Sequence, residues 1–531
     1  MPNKGRIQNS LDGVGIKTMK EYLIGTDIGT SSTKSIITDL LGNVIASANE
    51  SYGLLTPHNA WAEQWPDVWL TAAKKTIHDV VNKSGVKPEE VRAISISGLY
   101  GGSGIPLDEN MNPVRPCIIW MDRRTETMCT QLRNKLDIEK IFSITENGID
   151  SYFGFTKILW IKEHEPENWN KIKLFLTPNQ YVIYKITGKI AMDRTSAGNL
   201  GGVYDYEAGT WSTNMLDTLE IPLHMLPEKL VEPHEIVGGL TTEAGNELLL
   251  APGTPVCAGC IDCLASTLAT GSVKSGQHVI VLSTSLNWGL IHDKKPHDPK
   301  YISMPYLTDS THMRYTYGGI STAGALTRWF KETIAPSLIK DSGLQLPSFE
   351  TLEEAAGELP AGSEGLILLP YFMGERSPIW DSGARGMLMG LTLKHTSAHI
   401  YRAILESIGY AMLHITEDYY GKNDKSTLPY KIVGGASSSR LWIQILSDIT
   451  GQIMEHTLSE IEAPWGNAFI AGKGIGLFTD YGEISRWAQP TELIYPIMEN
   501  HERYSKYFEI YKELYLSSKE QMHRLAELSK N

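Results

Sequence analysis

An aspartate at the end of an apolar run, followed by glycine and hydroxyl residues, gives this chain its first chemically interpretable segment. Residues Tyr22–Asp39 read as a strand, a short polar turn and a second strand, since apolar alternation resumes after the turn. Asp27 can hold a hard cation by its oxygens. Gly29 lets the backbone approach a ligand, and the N–H and hydroxyl groups that follow can donate to phosphate. We therefore predict a phosphate-binding hairpin, with an ordinary hairpin turn as the alternative.

A second segment of the same design begins the other half of the chain. His278–Gly289 again reads as strand, Ser/Thr turn and strand, after a small polar joint at Gly271–Gly276. Two related domains, at 21–272 and 273–531, would each bring one hydroxyl-lined hairpin to a shared cleft. Chance similarity of the two segments is the alternative. Residues 1–20 are expected to form a short polar extension.

The elements between these hairpins indicate an α/β protein. An apolar stripe at four-residue spacing predicts a helix that begins at Pro66. Leu40–Ile45 forms a turn into a third strand, and Val91–Gly98 alternates as a strand. Strands and helices then alternate along the chain. The stretch 499–529 is expected to be a helix whose aromatic stripe packs against the rest of the protein.

Composition limits the partners and the compartment. The formal charge of −13 argues against general affinity for nucleic acid or an anionic membrane surface. No apolar run approaches the roughly 20 residues of a membrane span, and no signal peptide is recognisable near the start. Five cysteines in 531 residues point to a reducing compartment, so we expect a cytoplasmic protein.

Three of those cysteines are regularly spaced, as Cys257-x-x-Cys260-x-x-Cys263. A metal or redox triplet is one interpretation of this spacing. No second cysteine pair or nearby histidine supports it. We favour a buried strand that enters a turn, in which cysteine packs as a small apolar residue.

Four further stretches carry more specific patterns. Gly365–Thr392 contains Leu-Pro-Tyr-x-x-Gly-Glu-Arg-x-Pro, and in Val433–Asp448 a strand ends in two glycines before hydroxyl residues open a helix. Ile320–Trp329 is rich in small residues, and Glu462–Ala468 starts a helix in which Asn467 precedes the alanine. With the two hairpins, these stretches resemble the FGGY carbohydrate kinases, best compared with xylulokinases and glycerol kinases, over residues 21 to about 515.

The resemblance implies a fold and a set of nucleotide-binding residues. It implies two actin-like, ribonuclease H-like ATPase domains of the hexokinase/Hsp70/actin superfamily that enclose a cleft. ATP would bind mainly to the C-terminal domain with Mg²⁺ at Asp27, and the sugar mainly to the N-terminal domain. The residues implied to bind the nucleotide and its phosphates are Thr30, Ser31, Ser32, Ser283, Thr284, Gly324, Arg328, Gly435, Ala436 and Ser439.

The resemblance also assigns the catalytic residue. Asp262 stands where the family has its Gly-Gly-x-Asp segment, and a carboxylate there would accept the proton of the sugar hydroxyl as the phosphoryl group transfers. Taken alone, the segment would favour an aspartate that caps the following helix. The match to the other stretches favours catalysis.

The expected sugar site is where this chain departs from its relatives. The residues implied to bind substrate are Tyr100, Gly101, Gly102, Trp120, Asp122, Tyr152 and Asp262. Glycerol kinases place Arg-Glu, and xylulokinases Met-His, where this chain has Tyr100-Gly101. Loss of both donors disfavours glycerol and ordinary D-xylulose, and the glycines suggest extra space or a flexible loop. For Trp120, Asp122 and Tyr152, structural packing is the alternative.

The predicted function is ATP-dependent phosphorylation of a hydroxyl on a sugar or sugar derivative. A ketose such as a pentulose, an aldonate or a polyol would be the small-molecule partner, and a homodimer is expected from the relatives. Two alternatives stay open at this point. One is an inactive protein of the same fold that binds sugar or nucleotide for regulation. The other is an actin- or Hsp70-like ATPase that acts on protein.

Overall fold

The computed structural model describes residues 20–58, 60–296, 298–335, 348–421, 426–457 and 462–529. Two mixed β-sheets organise them. The first sheet contains β1 (Tyr22–Ile28), β2 (Ser32–Asp39), β3 (Val44–Ser51), β4 (Val91–Gly98), β5 (Ile236–Gly239) and β6 (Pro255–Cys257). The second contains β7 (His278–Leu282), β8 (Leu286–His292), β9 (Ile302–Pro305), β10 (Arg314–Ile320), β11 (Tyr430–Val433), β12 (Met454–Thr457) and β13 (Thr491–Ile494).

The longer helices cover the two sheets. They are α1 (Pro66–Ser84), α2 (Gly154–His164), α3 (Pro178–Thr187), α4 (Asp262–Ala269), α5 (Ser397–Tyr420), α6 (Arg440–Thr450), α7 (Ala463–Gly474) and α8 (Met498–Leu528). Shorter helices span Glu126–Lys135, Ile138–Thr145, Pro166–Trp169, Arg194–Asn199, Thr213–Leu219, Thr242–Leu248, Gly324–Trp329 and Phe349–Gly357. Short strand pairs are Glu63–Gln64 with Cys117–Ile118, Ile105–Leu107 with Leu174–Leu176, Met192–Asp193 with Leu230–Val231, Tyr204–Asp205 with Thr210–Trp211, and Ile367–Leu369 with Met387–Met389.

The two sheets repeat one strand order. The first runs β5-β6-β4-β1-β2-β3 and the second β9-β10-β8-β7-β11-β12-β13. In each, a hairpin pairs with a third antiparallel strand on one side and with two parallel strands on the other, as β3-β2-β1-β4-β6 and β10-β8-β7-β11-β12. The prediction of two similarly built halves, each with a hydroxyl-lined hairpin, is confirmed.

The local predictions also agree with the structure. The apolar stripe of α1 is buried, and β3 and β4 occupy the segments expected of them. Helix α8 contains the predicted aromatic stripe, with Tyr504, Phe508, Tyr511 and Tyr515 buried. Helix α6 opens at Ser439 as expected, although a separate short turn at Gly435–Ser438 comes between strand and helix.

Two helices cross between the halves and pack directly on each other. Helix α4 follows the last strand of the first sheet, and α7, which comes between β12 and β13 of the second sheet in the chain, lies against β1. Gly466 of α7 touches α4 so closely that a Cβ there would overlap the carbonyl oxygen of Ala265. Likewise, a Cβ at Gly25 of β1 would overlap the carbonyl oxygen of Pro464. Because glycine permits both approaches, the start of α7 is fixed on the face of the first sheet, against β1.

Candidate active site

The first hairpin, the second sheet and the start of α7 enclose a cavity of about 650 Å³. Its lining includes Asp27, Gly29, Thr30, Ser31, Ser32 and Lys34 from the first hairpin, Gly434 and Gly435 after β11, and Glu462, Ala463 and Pro464 before and at the start of α7. The structure therefore brings five of the predicted nucleotide and metal residues together: Asp27, Thr30, Ser31, Ser32 and Gly435. The cavity volume suits a small-molecule ligand.

Hydrogen bonds from behind fix the turn of the first hairpin. The Gly29 N–H donates to the Ser32 carbonyl oxygen at 2.9 Å. The Tyr52 hydroxyl donates to the Gly29 carbonyl oxygen at 2.7 Å, and the Gln64 amide donates to the Thr30 carbonyl oxygen at 2.8 Å. Since these bonds use the carbonyl side of the turn, they set its shape without occupying the hydroxyl groups of Ser31 and Ser32.

The second hairpin is joined to the stretch that follows β10. The N–H of Gly324 donates to the Ser283 carbonyl oxygen, and that of Ala323 to the Thr284 carbonyl oxygen, each at 2.9 Å. A Cβ at Gly324 would lie 2.5 Å from the Ser283 oxygen and 3.7 Å from the Cβ of Ala436. Ser283, Gly324 and Ala436 are therefore in one place, as predicted, beside rather than among the residues that line the cavity.

The remaining predicted nucleotide residues have different surroundings. At Gly435 a Cβ would meet nothing within 4 Å, so this glycine faces open space. The Ser439 hydroxyl oxygen caps α6 by accepting a hydrogen bond from the Trp442 N–H. This oxygen is therefore already engaged as an acceptor. Arg328 is exposed at the surface. These placements leave the nucleotide roles of Ser439 and Arg328 as predictions.

A chain of buried hydrogen bonds holds Asp27. The Ser97 hydroxyl of β4 donates to Asp27 Oδ1 at 2.6 Å. The side-chain amide of Asn467, fully buried on α7, donates to Ser97 Oγ at 2.6 Å and to the Thr26 carbonyl oxygen at 2.9 Å. Burial raises the pKa of Asp27, the Ser97 hydrogen bond opposes this, and the Glu462 carboxylate raises it further. Asn467 therefore orients the hydroxyl that favours the charged form of Asp27.

If Asp27 holds Mg²⁺ as predicted, replacing Ser97 by alanine should weaken Mg²⁺ binding more than it lowers the stability of the fold. The change removes the hydrogen bond that lowers the pKa of Asp27, so protons compete better with a cation at neutral pH. We expect the half-saturating Mg²⁺ concentration to rise about five- to ten-fold, in keeping with the loss of a hydrogen bond to a charged group. Ser95→Ala is the matched control, because Ser95 contacts Asn467 at 3.3 Å and has no hydrogen bond to Asp27. Equal effects of the two variants would contradict the role of Ser97.

Asp262 lies at the same edge of the first sheet. The Gly98 N–H at the end of β4 donates to the Cys260 carbonyl oxygen at 3.1 Å, which brings the start of α4 to this edge. Asp262 is the first residue of α4, and among the described residues its Oδ1 accepts a hydrogen bond only from the adjacent Cys263 N–H, at 2.6 Å. Ile261 occupies the capping position, so Asp262 does not serve as the N-cap that the alternative interpretation proposed. Burial raises the pKa of Asp262, and the charge of Asp27 raises it further.

The raised pKa values make these two carboxylates a source of instability at high pH. A group whose pKa is raised by folding stabilises the protein below the pKa of the unfolded chain, and this contribution is lost as the pH rises through the folded value. Asp262→Asn should therefore raise the free energy of unfolding of the ligand-free protein by about 1–3 kcal/mol near about pH 8.5, with a smaller gain near about pH 5. Thermal unfolding at both pH values measures this. Asp309→Asn, in an exposed turn, should give no such gain, and a gain from Asp262→Asn that is independent of pH would contradict the argument.

The predicted sugar side is an aromatic cluster that joins the two halves. The Tyr100 and Tyr152 rings lie 4.8 Å apart, and the Tyr100 hydroxyl accepts the N–H of Gly154. The Tyr152 hydroxyl contacts the hydroxyl of Tyr317 on β10 and accepts a hydrogen bond from Asn199 at 3.2 Å. Tyr100 and Tyr152 are thus together near Asp262, whose charge also acts on Tyr152.

The glycines of the sugar loop do not leave space, which corrects that expectation. A Cβ at Gly101 would lie 2.5 Å from Cδ of Pro178, and one at Gly102 would overlap the Ile118 carbonyl oxygen. Gly102 also has a φ of +52°, which disfavours any side chain. Both glycines are there because neighbouring backbone and ring atoms come too close for a larger residue, so the loop is tightly packed.

Trp120 and Asp122 are placed differently from each other. The Trp120 indole donates to the Thr30 hydroxyl at 3.2 Å, which links the sugar side to the first hairpin. Asp122 is fully buried, and its oxygens accept from the Arg124 guanidinium and, at 2.6 Å, from the Ala62 N–H. The guanidinium of Arg124 lies 3.6 Å from the centre of the Trp61 ring. These contacts support the packing alternative for Asp122.

Comparison with known proteins identifies the family. Residues 22–269 match the N-terminal domain, and residues 279–475 the C-terminal domain, of the FGGY family of carbohydrate kinases. The chain belongs to this family. It is 30% identical to the xylulose kinase of Bacillus subtilis (strain 168) over 516 residues, which cover 96% of this chain and 100% of that one.

Solved structures confirm the predicted actin-like fold of this FGGY kinase. The ligand-bound xylulose kinase from Lactobacillus acidophilus superposes with a TM-score of 0.87 at 26% identity, covering 95% of this chain and 100% of that one. The gluconate kinase from the same organism gives 0.85 at 26% identity, covering 94% and 98%. These two structures thus belong to proteins named for different substrates, a neutral ketose and an acidic sugar.

Several residues of the FGGY kinase site escaped the sequence analysis. Lys34 forms an ion pair with Glu462 across the cavity. The register of the first hairpin pairs Asp27 with Lys34, so the turn length alone could have predicted that Lys34 lies beside Asp27. Ser97 and Asn467 carry no comparable local signal, because their partners lie far away in sequence.

Two of the three regularly spaced cysteines pack in the protein interior. Cys257 and Cys260 are buried, and the Cys257 thiol lies 3.8 Å from the Ile470 carbonyl oxygen, in agreement with packing. Within the described ranges, no three His, Cys, Asp or Glu residues cluster so that they could bind a metal ion. None of the helices in the part of the chain that the structure describes has the length and apolarity needed to cross a membrane.

Proposed function

We propose that this kinase transfers the γ-phosphoryl group of ATP to a hydroxyl of a sugar or sugar derivative, with Asp262 as the general base. The observation that carries the proposal is the position of Asp262: Asp27 pairs with Ser97 on β4, the next residue Gly98 is bridged to Ile261, and Ser266 of the same helix as Asp262 lines the cavity. Groups that can donate hydrogen bonds to phosphate and a carboxylate that can act as a base are thus available side by side.

The reaction follows from these positions. The sugar oxygen forms a new bond to the γ-phosphorus while the bond from that phosphorus to the bridging oxygen of ADP breaks, and ADP leaves with that electron pair. The hydroxyl proton moves to the Asp262 carboxylate. Thr30, Ser31 and Ser32, with the second hairpin at Ser283 and Thr284, are proposed to hold the phosphates from two sides.

Asp27 is the residue proposed to hold Mg²⁺, directly or through water. Its fit to the ion rests on its acceptor geometry. One oxygen accepts from Ser97, and within the described chain no side chain or amide donates to the other. When bound, Mg²⁺ neutralises charge on the phosphates. Asp27 and Lys34 lie opposite each other in the hairpin register, and Lys34 forms its ion pair with Glu462.

The sugar is proposed to be a ketose such as a pentulose, an aldonate or a polyol. The named substrates of the relatives, xylulose and gluconate, cover the first two classes. Tyr100 and Tyr152 would offer their ring faces and edges to the C–H side of the substrate. The residue after Tyr100 is Gly101, which provides no imidazole or guanidinium. A side chain at this position would overlap Pro178.

A screen of ADP release tests this function. Purified protein with Mg-ATP is offered ketoses, aldonates and polyols of about three to seven carbons, a range set by the size of a compact small-molecule pocket. We expect one class to stimulate ADP release well above the rate without sugar. Tight sugar binding without ADP release from any member of the panel would contradict the proposal and favour a regulatory binding protein.

A further inference from the structure

Arg376 is a half-buried arginine without a carboxylate partner. Its Nη2 donates to Asn287 Oδ1 and to the Ile320 carbonyl oxygen, each at 3.3 Å. Among the described residues, no carboxylate oxygen lies within 4.0 Å of its guanidinium nitrogens. The buried arginines Arg314 and Arg402 are different, since each forms an ion pair with a glutamate. Arg376 therefore carries a positive charge that is partly shielded from water and has no ion-pair partner within the described chain.

The neighbouring glutamate does not neutralise this charge at close range. Glu375 Oε1 accepts the N–H of Ser321 and the backbone N–H of Arg376, both at 2.8 Å, so the carboxylate is bound to main-chain amides. Burial lowers the pKa of the Arg376 guanidinium, and Glu375 offsets this from a distance. Burial of the guanidinium charge therefore has a desolvation cost, which a bound anion would offset.

A glycine on β10 allows the Arg376 guanidinium to lie close to the backbone. A Cβ at Gly319 of β10 would overlap Nη2 of Arg376 and lie 2.5 Å from its Cζ. Gly319 is the cross-strand partner of Asn287 on β8, which accepts the hydrogen bond. The guanidinium therefore packs against the paired strands β8 and β10, next to the second hairpin.

Arg376 lies between the second hairpin and the tyrosines of the predicted sugar side. On one side, Asn287 comes two residues after the Ser283–Ser285 turn, and Ile320 directly precedes the stretch that bonds to that turn. On the other side, Gly319, which touches the guanidinium, lies two residues after Tyr317 on β10, and the Tyr317 hydroxyl contacts that of Tyr152. Arg376 therefore lies against the strand that connects the surroundings of the second hairpin with the tyrosines of the predicted sugar side.

We propose that the Arg376 guanidinium binds the phosphoryl group during its transfer. This inference rests on the proposed function. As the new O–P bond forms, the bond to ADP breaks and the proton moves to Asp262, the guanidinium keeps its protons and donates hydrogen bonds to the peripheral phosphoryl oxygens. Planar N–H donors suit these oxygens, and preorganised charge at the transferring group stabilises the transition state.

The test compares nucleotide binding with turnover in Arg376→Gln. We expect kcat to fall roughly 100- to 1,000-fold, as when one preorganised donor is removed. Calorimetry should show the affinity for a non-hydrolysable ATP analogue, with Mg²⁺, falling about ten-fold, while the affinity for MgADP changes less than about two-fold. Arg376→Lys should recover part of both losses, since it retains the charge. Arg486→Gln, on an exposed arginine paired with Glu483, is the control and should match the wild type.

Three outcomes would overturn the inference. Equal losses of ADP and triphosphate affinity would show a structural role for Arg376. A kcat within about three-fold of wild type would exclude contact with the transferring group. A loss confined to acidic sugars would assign Arg376 to a substrate carboxylate. If the wild type phosphorylates no sugar, the proposed function and the role of Arg376 in transfer both fail, and a selective loss of triphosphate affinity in Arg376→Gln would still assign Arg376 to the terminal phosphate.

Discussion

Asp262→Asn should lower kcat by about 1,000-fold, within the range typical of a lost general base. The amide keeps the size of the side chain but cannot accept the hydroxyl proton, so the attacking oxygen is no longer activated. Nucleotide binding should persist, because the hairpins that line the cavity are unchanged. Steady-state ADP release with the best sugar from the screen measures kcat, and calorimetry with MgADP measures binding.

The control for this variant is Asp309→Asn, which changes an exposed aspartate in a turn after β9. It should leave kcat unchanged. Sugar-dependent ADP release by Asp262→Asn at the wild-type rate would remove Asp262 from the mechanism. The same variant provides two independent measurements, since its predicted gain in stability at high pH does not depend on the sugar.

The second large effect is expected from Gly25→Ala, a change of one methyl group in β1. A Cβ at position 25 would overlap the carbonyl oxygen of Pro464 and lie 2.5 Å from the N atom of Ala468. Both are backbone atoms of α7, so the helix itself must move. We expect a loss of about 3 kcal/mol in the free energy of unfolding, at the upper end for overpacking. Thermal unfolding measures the loss.

The same change should also weaken nucleotide binding. Glu462 and Pro464 line the cavity, so a shift of α7 away from β1 would displace them. Gly53→Ala is the matched control, since a Cβ there meets nothing within 4 Å. A stability of Gly25→Ala equal to that of Gly53→Ala would mean that the contact between β1 and α7 adjusts without strain.

The sequence was sufficient for the features that depend on local pattern. Period-two alternation around Asp27 and around Ser283 predicted both hairpins, and the four-residue stripe predicted α1. These signals work because strand and helix periodicity place neighbouring residues on one face. The position of Asp262 was predicted by resemblance rather than by pattern, and its role stays a prediction, as do the domain boundaries at 272 and 273 and the homodimer.

What the sequence could not show are the contacts made across long separations. Asn467 stands 370 residues from Ser97, yet its amide orients the hydroxyl that holds Asp27. Asp122 was predicted to bind the sugar, because no nearby sequence feature indicates that its oxygens accept hydrogen bonds from the Ala62 N–H and from Arg124. Such partners are set by tertiary packing, on which neither periodicity nor a short motif carries information.

The tight packing of the sugar loop has a consequence for how this kinase can change its substrate. Because Gly101 rests on the ring of Pro178, a donor side chain at 101 is accommodated only after residue 178 has changed, whereas the obstacle at Gly102 is the Ile118 backbone carbonyl oxygen, which no substitution removes. Substitutions here should therefore be epistatic: histidine at 101 would be harmful alone and acceptable beside a smaller residue at 178. Libraries that vary the loop one position at a time should yield misfolded protein, and paired libraries at 101 and 178 are the route to altered sugar preference.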